Sequence, residues 1–142
     1  GAQTVTNTLD TAPLWQGLGV ISMTGVHQTT PVGTAVVTTG LGDPSSITVG
    51  SVGADDLVVD NTYSDLGTLT PGADQTQRYN EQINASHSMY GSSQPGSAGG
   101  VMSWSGHGPS DAWGLGGVAF KPAAGAAGVV TPRSFALLGV GA

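Results

Sequence analysis

Short apolar runs, cut by turn chemistry every 8–12 residues, run through this chain. That spacing belongs to a β-sandwich or barrel rather than to a helical protein. The runs are Leu14–Val26, Thr34–Thr39, Ser46–Val52, Asp56–Tyr63, Gln75–Tyr79, Ile83–Tyr90, Gly100–Ser105, Ala112–Lys121 and Ser134–Val140. The stretches Gly40–Pro44, Thr70–Asp74, Gln94–Ser97 and Gly106–Ser110 stand between them, rich in residues that favour turns. Leu14–Val26 is apolar at both alternating sets, which predicts a central strand; Ala112–Lys121 is expected to pair with Gly100–Ser105 across their short loop. Glycines inside the runs, such as Gly19 and Gly116, predict bulges or close backbone approach. No helical stripe of useful length occurs, and Lys, Arg and Glu together number four in 142 residues, so a helical bundle is disfavoured.

Composition narrows the function classes. Charged residues are 8% of the chain, whereas Ser and Thr supply 30 residues, so the polar surface is hydroxyl rather than ionic. A net charge of −6 with three basic residues offers no electrostatic footprint for nucleic acid or an anionic bilayer. No run reaches the ~18–20 apolar residues of a spanning helix, and no basic-hydrophobic leader is read. The absence of cysteine excludes disulfides, thiol catalysis and cysteine metal sites. With 15 valines there is apolar material for a thin core, expected to include Trp104, Trp113, Val58, Ile21 and Phe120.

No constellation reads as a catalytic, cofactor or metal site. His27, His87 and His107 lack ligand spacing and read as loop residues; no Gly-x-Ser-x-Gly elbow accompanies them. The acidic residues Asp55, Asp56, Asp60, Asp65, Asp74 and Glu81 read as solubilising surface charge. Asp56 and Asp60, on one strand face, would stand roughly 13 Å apart, too far to share a calcium ion. Trp15, Trp104 and Trp113 read as core anchors; the alternatives are a sugar-stacking platform shared with Tyr63, Tyr79 and Tyr90, or contacts with another subunit. Asn84-Ala-Ser86 matches a glycosylation sequon. Lys121, the single lysine, reads as a strand-end charge, with a crosslink to Asn or Asp as the alternative.

The segment Ser22-Met-Thr-Gly-Val-His-Gln-Thr-Thr-Pro-Val-Gly-Thr34 resembles the "TGVDQTTPxGT" stretch of bacterial secreted and cell-surface β-sandwich repeat domains. Asp56–Asp60, Thr70–Arg78, Ser93–Gly96, Met102–Trp104 and Trp113–Pro122 follow in the family's order, so the resemblance covers residues 14–122. His27 stands where the family has Asp. The resemblance implies a non-catalytic, extracellular, immunoglobulin-like or jelly-roll sandwich. Such domains carry strands before "TGV", opening with a segment like "NRLLVVGVS"; here a similar segment, Pro132–Gly141, lies at the other end.

These readings lead to three segments: an N-terminal extension over 1–13, a sandwich over 14–122, and a Gly/Ala tether with an apolar strand over 123–142. The expectation is an all-β sandwich completed by a strand from a neighbouring chain, since missing strands leave an edge and an apolar groove open. Candidate subunit contacts are Val5 and Leu9 in the first segment and Phe135, Leu137, Leu138 and Val140 in the last. The expected function is a non-enzymatic structural subunit outside the cell or on its surface, without a cofactor, whose partners are other copies of itself. The alternative is a carbohydrate-binding or adhesive module with a polysaccharide partner.

Overall fold

The computed structural model describes residue 8 and residues 15–65, 68–124 and 130–141; at 15–18 and 133–141 it describes the strand backbone. Among the described residues ten strands follow one another: β1 (Trp15–Thr24), β2 (Val36–Leu41), β3 (Ser45–Thr48), β4 (Leu57–Asp65), β5 (Thr70–Pro71), β6 (Thr76–Asn84), β7 (His87–Pro95), β8 (Val101–Ser105), β9 (Ala112–Phe120) and β10 (Thr131–Gly141). The one other regular element among the described residues is a 3-10 turn at Gly96–Ala98, and none of them forms a helix able to cross a membrane.

The strands make three antiparallel layers. A five-stranded sheet, in the order β2-β9-β4-β7-β6, lies between a three-stranded sheet, β3-β8-β5, and a two-stranded ribbon, β1-β10. The chain is therefore an all-β antiparallel sandwich. β4 sits at the centre because both of its faces have something to bury. Val58 points with Ile47, Val49, Met102, Trp104, Leu115 and Ala119 into the core under the three-stranded sheet. Leu57 and Val59 point the other way and pack with Val130, Ile21, Met23, Val26 and Phe120 under the ribbon. The two-residue alternation of a strand separates these sets without further instruction.

Several expectations need correction. β1 is one strand of a ribbon, not the centre of a sheet; its second apolar set, Ile21 and Met23, packs on the body while Ser22 and Thr24 face solvent. β8 and β9 do not pair with each other: β8 joins β3 and β5, and β9 joins β2 and β4, so their loop crosses between layers. The run Ile83–Tyr90 is broken at Ala85–Ser86, where the Asn84 side-chain oxygen accepts the Ser86 N–H at 2.7 Å and turns the chain from β6 into β7. Of the expected core, Val58 and Trp104 are buried, whereas Ile21, Trp113 and Phe120 are half-buried.

Glycine inside the strands serves close approach. The Tyr79 ring lies between Gly91 of β7 and Gly19 of β1, and a Cβ at either position would overlap it. Gly91→Val is expected to cost about 1–3 kcal/mol by overpacking, measured as a lower urea midpoint at unchanged slope; an unaltered midpoint would contradict the stacked placement of Tyr79.

Candidate functional site

The inner face of β4 turns polar along its length: Val58 is followed by Asp60, Thr62 and Ser64, all buried. Across the β4–β7 ladder these residues meet Gln94, Ser92, Tyr90 and Ser88 respectively. Buried polar groups need partners, and here hydroxyls and one carboxylate supply them. Asp60, 2% exposed, accepts from the Ser92 backbone N–H and hydroxyl on Oδ1, each at 2.7 Å. Its Oδ2 accepts from the Trp104 indole at 2.7 Å and the Gln75 amide at 3.2 Å. Burial raises the Asp60 pKa, and its bonds to Ser92 and Trp104 oppose that rise. Asp60 and Asp56 are thus not surface charges. Asp56 is buried and its Oδ2 accepts the Gly53 N–H at 2.9 Å, pinning the turn before β4.

A second buried group gathers at the end of the same face. His107 bonds Ser64 through Nδ1 and Ser45 through Nε2, each at 3.0 Å. Its backbone N–H and that of Gly106 donate to Asp43 Oδ1 at 3.2 and 2.7 Å, tying the β8–β9 loop to the β2–β3 turn. An imidazole between two serines has the parts of a general base and a nucleophile, but both serines are 0% exposed and a substrate carbonyl has no route to them. The arrangement holds the two layers together. Burial lowers the His107 pKa below its ordinary 6.5, with the charges of Asp43 and Asp111 acting against the shift. A folded value below the unfolded one means that the stability from this neutral imidazole is complete above pH 6.5 and is lost as pH falls through the folded value. Chemical denaturation between neutrality and pH 5 is expected to show a smaller loss in His107→Asn than in the parent; equal losses would contradict it.

The other sequence candidates lie apart. His27 is a loop residue whose Nδ1 accepts the Thr30 N–H at 3.1 Å. His87 stacks on Tyr63 at 5.6 Å and its Nε2 lies 3.5 Å from Asp65. Burial and the Asp65 carboxylate push the Tyr63 phenol up to about 12. No three His, Asp or Glu side chains converge on a metal position among the described residues. Among the described residues, the aromatic side chains share no single exposed face. Trp104 and Tyr90 are buried against each other, Trp113 leans on His107, and Tyr79 is under the ribbon. The Trp15 side chain is outside the described set. Lys121 is exposed just past β9. The Asn84 Nδ2, the atom a glycan would occupy, is buried without a hydrogen-bond partner.

The outer face of the five-stranded sheet is only partly covered. Between the ribbon and β2 lies an apolar cleft of about 520 Å³, walled by Ile21, Met23, Val37, Val118 and Phe120. At its rim β2 is an edge strand on which Val37 is 84% exposed. The ribbon itself forms no ladder with either of the other sheets. Within it, Phe135, Leu137, Leu138 and Val140 of β10 lie opposite Ile21, Gly19, Leu18 and Gln16 of β1 in the same chain. Val5 and Leu9 lie outside the described residues. No family model, curated protein or solved structure matches this chain.

Proposed function

We propose that this chain is a non-catalytic structural subunit that assembles with other copies of itself outside the cell or on its surface, by exchange of the C-terminal strand. One observation carries the reading. The outer face of the central sheet is apolar, yet it is only partly covered, by a ribbon that shares no ladder hydrogen bonds with it. Moving β10 to a neighbouring subunit breaks the β1–β10 ladder, and the neighbour's β1 offers the same ladder in the same register. The Ala123–Gly128 connector, built from small residues with no large side chain to anchor it, suits such an exchange. Each subunit donating to the next gives an open chain of subunits rather than a closed ring when the rotation does not close.

Few charges oppose close packing of such subunits. The extracellular placement is supported by the resemblance of residues 22–34 to the repeat domains of secreted and surface proteins. Size-exclusion chromatography with negative-stain microscopy tests the reading. Polymers that disappear on deletion of residues 129–142 are expected. A parent that stays monomeric at every concentration, or a deletion variant that still polymerises, would overturn it.

A further inference from the structure

The polar rows of the central sheet do not stop where the three-stranded sheet stops. Thr62 of β4, Tyr90 of β7 and Asn80 of β6 lie in one register row, and Ser64, Ser88 and Gln82 in the next. The inner members of each row are buried, but Asn80 and Gln82 are exposed on edge strand β6. There the rows open into a pocket of about 290 Å³, closed on its other sides by Thr68 and by the Ala85–His87 turn.

We propose that this pocket binds one unit of a neutral saccharide, independently of self-assembly. Three observations converge on that chemistry. First, no Asp, Glu, Lys or Arg among the described residues lines the pocket, and the His87 imidazole in its wall already faces Asp65, 3.5 Å away. Second, apart from His87 its polar lining is mostly amide and aliphatic hydroxyl, from Asn80, Gln82, Thr68, Ser86 and Ser88. Side-chain amides present a donor and an acceptor side by side, the complement of a vicinal diol. Third, these groups are left for a ligand. Ser88 is 6% exposed and lines the pocket, and its hydroxyl makes no hydrogen bond among the described residues, nor do the side chains of Asn80 and Gln82. A purely apolar ligand would bury these groups unpaired, which is costly. The volume lies just below the usual range for drug-sized ligands and suits a single sugar ring. Tyr90 supplies the apolar wall.

The test is nitrogen-edited NMR of the full chain, titrated with glucose, galactose, mannose and N-acetylglucosamine, and separately with short oligomers of each. Saturable shifts at the side-chain amides of Asn80 and Gln82 are expected with at least one sugar. Gln82→Leu and Asn80→Leu, both at exposed positions, are expected to weaken binding about tenfold or more. Gln28→Ala, on a distant exposed loop, is expected to leave it unchanged. Shifts with free sugars would assign the pocket to monosaccharides, and shifts with oligomers alone would assign it to the end of a glycan chain; either supports the proposal. No saturable shift with either set, or shifts that persist in Gln82→Leu and Asn80→Leu, would overturn it.

Discussion

Trp104→Ala is expected to lower unfolding free energy by about 3–5 kcal/mol, the range for truncating a buried large aromatic. Trp104 is 1% exposed, sits on β8 in the middle of the three-stranded sheet, and meets the Tyr90 ring at 5.5 Å between centroids. Its removal opens a cavity at the centre of the main core and also takes a donor from the Asp60 carboxylate. Trp104→Phe keeps most of the ring area but loses the indole N–H, so it is expected to cost about 1.5–3 kcal/mol, the worth of one hydrogen bond to a charged group. Urea unfolding of both variants separates packing from hydrogen bonding. A cost under about 1 kcal/mol for Trp104→Ala would show that the core is not built around this residue.

Asp60→Ala is expected to be comparably damaging, by about 2–6 kcal/mol, for a different reason. It leaves four donors facing an empty site. The Ser92 hydroxyl and Gln75 amide can turn elsewhere, but the Ser92 backbone N–H and Trp104 indole are fixed by strand and core, at about 1–3 kcal/mol each. The two sites are coupled, so Trp104→Phe combined with Asp60→Ala is expected to cost less than the sum of the single changes. The pH dependence has a definite sign. Because burial raises the folded pKa of Asp60 above its ordinary 3.8, this group's contribution is greatest in acid and falls as pH rises through the folded value. The parent is therefore expected to gain on Asp60→Asn as pH is lowered from neutrality toward that ordinary value. A gap independent of pH would contradict it.

Most strand positions were legible because alternation and turn residues act locally. Asp56–Tyr63 was expected and Leu57–Asp65 is found; Ala112–Lys121 was expected and Ala112–Phe120 is found. The layer to which each strand belongs was not legible. Loop length alone places β8 beside β9, whereas the burial demands of Trp104 and Met102 on one side and Leu115 and Ala119 on the other place them in facing sheets. The burial of Asp60 was missed because an acidic residue reads as surface by default. A signal was present: Asp60 shares its alternating set with Val58, inside an otherwise apolar run. The pocket beside β6 had no sequence signal, since Asn80, Gln82 and Ser88 come together only through the β6–β7 register.

The strand-exchange account is tested most directly by trapping the β1–β10 ladder. The chain has no cysteine, so Val20→Cys with Ala136→Cys introduces one pair at facing register positions, within the Cα separation that a disulfide spans. In oxidised assembled material the account predicts a ladder of covalent multimers on a non-reducing gel, because each bridge joins the β1 of one subunit to the β10 of another. Oxidation that yields only bridged single chains would show that every β10 stays with its own β1, and would contradict it.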